Sequence, residues 1–183
     1  FCCYPVPTSI SGTTARFTIP SVQDGKVTGG ADIMIADPVS HGALTPVPDP
    51  EDHSGMSLEM NRMLHQFRFY VPDTDTKLGT AKIERIQLSF PTDVVGDINL
   101  NILNPSQGPN LISGGSDVTL KLAEPLSVSE SDDMQYACVA FLPTSYEKGS
   151  SGTYLLSLKA YTDNKFVSFD PIDMTGRNFR AGH

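Results

Sequence analysis

The stretch Ala137-Cys138-Val139-Ala140-Phe141-Leu142 is apolar at every position. Six residues are short for a buried helix, and Val139 and Phe141 suit an extended chain covered on both faces. Other segments alternate instead. Ile98, Leu100 and Ile102 do so fully, Val118, Leu120 and Leu122 likewise, and Ile83, Ile86, Leu88 and Phe90 nearly so. Successive side chains of a strand point to opposite faces, so a period of two marks strands with one face buried and one wet. The all-apolar stretch is then expected at the centre, with the alternating ones around it.

Further out, short β-branched and aromatic runs are separated by Gly, Pro, Asn, Asp and Ser along the whole chain. Strands are predicted at 2–6, 15–19, 32–36, 57–60, 65–71, 81–90, 97–103, 117–122, 135–142, 152–161 and 165–169. Met56, Met60, Met63, Leu64 and Phe67 fall at helical spacing. The strong β composition of Phe67-Arg68-Phe69-Tyr70-Val71 nevertheless favours two strands, broken near Asn61-Arg62-Met63. The Pro-rich segment 38–55, the segment 105–115 with its Asn-Pro, Gly-Pro and Gly-Gly pairs, and the polar run 127–133 are predicted surface loops.

A chain of 183 residues suits one β-sandwich domain spanning 1–183. With 13 Lys and Arg against 21 Asp and Glu, the net charge is −8. A grip on phosphate backbones or lipid headgroups would work against that field, so nucleic acid is not an expected partner. No apolar run approaches the roughly 18–20 residues of a membrane-spanning helix. The chain opens at Phe1 on what reads as a strand, and any export signal is expected upstream of it.

Motifs that would carry chemistry are scarce. Cys2, Cys3 and Cys138 make an odd count at irregular spacing, without a Cys-x-x-Cys pair. Two readings stay open for them: small apolar strand residues, or a bridge from Cys2 or Cys3 to Cys138. His41, His53, His65 and His183 belong to no zinc motif; His41 and His53, in the Pro-rich loop, read as solvated, while His65 falls in the Met-rich segment and His183 ends the chain. The loop carboxylates Asp49, Glu51, Asp52, Asp132 and Asp133 lack calcium-loop spacing and read as solvated charge. Gly-Gly-Ser-Asp at 114–117 and Gly-Ser-Ser-Gly at 149–152 lack the Lys of a phosphate loop and read as hairpin turns. Gly-x-Ser-x-Gly is absent. The expectation is a protein that is not an enzyme, with no catalytic residues, no cofactor and no metal.

A series of short landmarks runs along the chain: Phe1-Cys2-Cys3-Tyr4-Pro5, Phe17-Thr18-Ile19-Pro20 with Gln23, Ala31-Asp32-Ile33-Met34-Ile35-Ala36, Ser57-Leu58-Glu59-Met60 and Leu64-His65-Gln66-Phe67-Arg68-Phe69-Tyr70-Val71. The strand at 83–90 and Asn178-Phe179-Arg180-Ala181-Gly182-His183 complete it. In this order they resemble the fimbrillins, the fimbrial subunits and fimbrillin-like surface lipoproteins of Bacteroidales. Asn61-Arg62-Met63 and His65-Gln66 depart from the family's usual His-x-Leu-Ala-Lys core.

The resemblance implies the N-terminal module of such a subunit, a transthyretin-like antiparallel β-sandwich exported to the cell surface of a Gram-negative bacterium. Contact with the outer membrane would run only through a lipid anchor outside this sequence. It also implies a structural or adhesive role in a fimbrium, as shaft, tip or anchor protein. The implied partners are other fimbrial subunits joined by strand addition, and a host protein or glycan. A surface glycan- or protein-binding lipoprotein module that does not polymerise is the alternative. A final strand is expected to begin just beyond His183. Far-ultraviolet circular dichroism should show a β-dominated spectrum; helix above about a third of the residues, the average for globular domains, would rule the fold class out.

Overall fold

Where apolar residues alternate, the chain is extended. The computed structural model describes residues 2–28, 31–36, 60–72, 81–129, 135–149 and 152–183. Its strands begin with β1 (Cys3–Tyr4), β2 (Ser9–Ser11), β3 (Thr14–Ile19), β4 (Val22–Gln23) and β5 (Met34–Ala36). There follow β6 (Met60–Arg62), β7 (His65–Phe69), β8 (Val71–Pro72), β9 (Ile83–Ser89) and β10 (Val95–Asn101). After a 3-10 turn at Pro105–Gln107 come β11 (Asn110–Gly115), β12 (Asp117–Leu126), β13 (Val128–Ser129), β14 (Ala137–Phe141) and β15 (Thr144–Ser145). The last are β16 (Leu155–Tyr161), β17 (Phe166–Ser168), β18 (Ile172–Asp173) and β19 (Asn178–Phe179). The protein is all-β.

One sheet runs β11-β10-β3-β2 and a larger one β17-β16-β9-β12-β4, with β18 also on β16. A third runs β1-β5-β6, and three pairs, β13-β8, β14-β7 and β15-β19, stand beside them. Pairing is antiparallel except between β12 and β4 and between β13 and β8, which are parallel. Alternation places Phe17 and Ile19, Ile98 and Leu100, Ile86 and Leu88, and Val118 and Leu120 in one buried cluster with Val139 and Phe141. The polar faces of the same strands remain accessible, as period two requires.

The all-apolar stretch is buried at every residue of β14. It is not central in a sheet, however: among the described residues β7 is its one strand partner, with Val139 opposite Phe67 and Phe141 opposite His65. The other edge is closed piecemeal. Cys138 N–H donates to the Gly25 carbonyl at 2.8 Å and Leu142 N–H to the Val94 carbonyl at 2.8 Å. Between them the Gln23 side chain acts as a substitute peptide group. Its Oε1 accepts from Ala140 N–H at 2.9 Å and its Nε2 donates to the Ala140 carbonyl at 2.8 Å. Gly25 sits at φ +83, and a β-carbon there would press on Leu122 Cδ2 at 2.7 Å and Ala137 Cβ at 3.3 Å.

Several expectations are corrected. The break in the Met-rich segment falls at Met63 and Leu64, both buried, whereas Asn61 and Arg62 are in β6 opposite Ile35 and Met34. Arg62 Nε meets the buried Asp32 carboxylate there at 2.8 Å. The expected loop at 105–115 contains β11, and the one at 127–133 contains β13. Asn-Leu-Ile-Ser-Gly-Gly has little strand propensity of its own, and its pairing with β10 imposes the conformation. Gly96 at φ +125 lets the two backbones meet, since a β-carbon there would collide with the Ser113 carbonyl. Gly-Gly-Ser-Asp closes no hairpin. β11 pairs with β10 while β12 pairs with β9 and β4, so the chain changes sheets between Gly115 and Asp117. The strands flanking 149–152 pair elsewhere too, β15 with β19 and β16 with β9, β17 and β18. The Pro-rich segment 38–55 and the part of 57–60 before Met60 lie outside the described residues.

Phe141 is fully buried, with ring centroids 4.7 Å from Phe67 and 4.8 Å from Phe90. Phe141→Ala should therefore cost about 3–5 kcal/mol in denaturant unfolding. Gln23→Leu should cost about 1–3 kcal/mol for each Ala140 group left without a partner, despite the added apolar surface. Unchanged stability in both variants would show that β14 does not organise the core.

Candidate functional site

The residues singled out from sequence are scattered rather than assembled. His41, His53, Asp49, Glu51, Asp52, Asp132 and Asp133 lie outside the described residues. The three thiols are unbridged: Cys2 exposed, Cys3 half-buried, Cys138 buried in β14. Burial pushes the Cys138 thiol up, and Arg68 beside it pulls the other way. Among the described residues no three His, Cys, Asp or Glu side chains gather as metal ligands would. None of their helices is long and apolar enough to cross a membrane.

His65 opens β7, as the predicted strand at 65–71 has it, and is half-buried. Its ring packs against Phe179 at 5.0 Å, Phe141 at 5.2 Å and Phe67 at 5.6 Å. Its Nδ1 lies 2.8 Å from the Arg180 carbonyl, to which it donates when it carries the proton. Gln66 N–H donates to the His183 carbonyl at 2.8 Å and Gly182 N–H to the Leu64 carbonyl at 3.0 Å. Residues 180–183 are thus held along β7, and His65 and His183, far apart in sequence, come near each other. Burial holds the His65 imidazole below its ordinary value of 6.5; the Arg180 carbonyl opposes this and the His183 charge adds to it.

The feature best suited to binding lies at the end of the six-stranded sheet. β17 pairs with β16 alone, Val167 facing Ala160 and Phe166 facing Tyr161. Phe169 N–H donates to the Leu158 carbonyl at 3.0 Å and Thr162 N–H to the Lys165 carbonyl at 2.8 Å. Backbone groups alternate in direction along such a ladder, so Val167 turns its own toward β16 while Phe166 and Ser168 turn theirs outward. Among the described residues no strand takes that outer edge.

Beside the edge is an apolar groove of about 560 Å³. Tyr70, Val71 and Pro72 form one wall, Ile83 and Ala160 the floor, and the segment from Phe166 to Asp170 the other wall. Val167 is 56% exposed, Phe169 48% and Tyr70 54%, although all three are large apolar residues on or beside strands. An unpaired edge next to exposed apolar side chains is a template for an added strand.

No protein-family model matches the chain, and no curated protein matches it significantly. Sequence reading placed 165–169 as a strand without marking its edge. The available signal was composition: Phe166, Val167 and Phe169 put apolar residues on both faces of one short strand.

His65 carries a pH-dependent stability. Above 6.5 the ring is neutral in both folded and unfolded chains and contributes nothing to the difference. As pH falls through that value the unfolded chain takes up its proton first, because the folded pKa lies lower, and stability is lost. The melting temperature should fall between about pH 7 and 5, and His65→Gln should flatten that fall. A pH dependence identical in the variant would place the titrating group elsewhere.

Proposed function

We propose that this chain is a structural and adhesive subunit of a cell-surface fimbrium of the fimbrillin type, joined to its neighbour by strand addition, and not an enzyme. The single observation that carries the assembly step is the outer edge of β17, which no strand among the described residues takes, beside the apolar groove. A strand from another subunit laid along β17 would accept and donate at the outward backbone groups of Phe166 and Ser168. Its alternate side chains would enter the groove against Val167, Phe169 and Tyr70. Backbone supplies affinity in such a joint and the groove supplies selectivity, so no catalytic constellation is required. The ordered landmarks from Phe1 to His183 support the family, and with it a transthyretin-like sandwich, a surface location and a lipid anchor outside this sequence.

Sedimentation velocity on the mature protein tests the assembly step. The wild type should form polymers whose size grows with concentration, and Val167→Lys, which places a charge in the groove, should shift them to monomer. The position is exposed, so its own stability should change by no more than about 0.5 kcal/mol. A wild type that stays monomeric, or a variant that polymerises equally well, overturns strand addition at β17 and favours a surface module that does not polymerise.

A further inference from the structure

The outward face of the six-stranded sheet carries an arrangement that strand addition does not use. Cross-strand register sets Phe166, Tyr161, Arg85 and Lys121 in one row over β17, β16, β9 and β12. These residues alternate with the buried Ala160, Ile86 and Leu120, so their side chains stand on the accessible face. The Arg85 guanidinium carbon lies 3.9 Å from the Tyr161 ring centroid, and the Tyr161 and Phe166 rings are 5.7 Å apart. The Tyr161 hydroxyl donates to Gln87 Oε1, which fixes the ring under the guanidinium. Two residues along, Lys159 stands opposite Gln87.

Arg85 and Lys121 are direct cross-strand partners of like charge, an arrangement that opposes pairing. A carboxylate opposite either one would relieve it, and the chain has acids in excess, 21 against 13 bases. Ion pairs do form elsewhere, at Arg16–Asp97, Lys26–Glu124 and Arg62–Asp32. Among the described residues none engages Arg85, Lys121 or Lys159. Three cations on one sheet face, two of them cross-strand partners in the row that ends at the exposed Phe166 ring, are left for an anionic partner.

The rest of the face selects among anions. Four residues along β12 from Lys121, about 13 Å at strand rise, Asp117 accepts from Ser89 Oγ at 2.5 Å. A hollow of about 370 Å³ there is lined by Ser89, Asp117, Thr119, Ser157 and Lys159 with Gln87. A nucleic acid, charged at every phosphate, would set phosphates against the Asp117 carboxylate. A polyhydroxylated chain with spaced carboxylates meets both ends well. Its hydroxyls donate to Asp117 and the sheet hydroxyls, its carboxylates face Arg85, Lys121 and Lys159, and its C–H faces lie on Phe166. We propose that this sheet face binds an acidic, uronate-bearing polysaccharide.

Phe166 borders the groove as well as the platform, whereas Arg85 and Lys121 do not line the groove, so Val167→Lys and Lys121→Gln test the two readings separately. Affinity electrophoresis of the full chain through gels containing hyaluronate, whose uronates alternate with neutral sugars, dextran or single-stranded poly-dT tests the proposal. Hyaluronate should retard the wild type, dextran and poly-dT should not, and retardation should weaken as salt rises. The double variant R85Q/K121Q should lose at least tenfold in apparent affinity, with a melting temperature close to wild type, since the lost like-charge pairing and the lost Arg85–Tyr161 stack act in opposite directions. Exposed Lys121→Gln alone should lose several-fold, which keeps the test valid if the double variant folds poorly. No retardation by hyaluronate, equal retardation by dextran, tighter binding of poly-dT, or unchanged binding in Lys121→Gln would each overturn it.

Discussion

The bond pair between Gln23 and Ala140 is the constraint on which the rest of the structure depends. A strand buried at every residue carries its peptide groups into a dry interior, where each unpaired donor or acceptor is costly. β7 satisfies one edge of β14, and a full strand on the other would have exchanged the same kind of bonds. Gln23 offers the same donor and acceptor from a primary amide, 5% exposed and also bonded to the Pro20 carbonyl at 3.0 Å. Gly25 and Val94 complete the edge with their carbonyls. Because Gln23 also belongs to β4, which lies parallel on β12 at the margin of the six-stranded sheet, the clamp ties that sheet to the β14-β7 pair.

With β14 placed, the aromatic cluster follows. Phe67, Phe90 and Phe141 meet at 4.7–6.2 Å between centroids, and Phe179 and His65 join from the last strand and from β7. Edge-to-face contacts of this kind add to the area they bury. The histidine among them makes the cluster sensitive to protons, because its charged form must be accommodated between phenyl rings. Residues 180–183 are bonded along β7 at the same place, so the clasp and the titrating group are one local unit.

Both proposed activities draw on the six-stranded sheet through its two-residue period. The inward residues of β16 and β17 reach the core and, where cover runs out at Val167, an open groove. The outward residues of the same strands set aromatic rings and cations side by side. A one-residue slip between β16 and β9 would exchange these sets, so the pairing that buries Ile86 and Leu88 also fixes the platform.

The sequence by itself determined what depends on local pattern. Alternation at Ile98-Leu100-Ile102 and Val118-Leu120 assigned strands and their buried faces, and the unbroken apolar run at 137–142 foretold a strand dry on both sides. It did not foretell β11, rich in Asn, Ser and Gly, or the two-residue β13, which become strands because β10 and β8 offer them edges. Nor could it show that β14 has no second strand neighbour among the described residues, that Gln23 stands in for one across 117 positions, or that Arg85 faces Lys121. Periodicity reports which way a side chain points relative to its own strand. Register, edges and long-range bonds are set by which strands meet, and only the tertiary structure decides that.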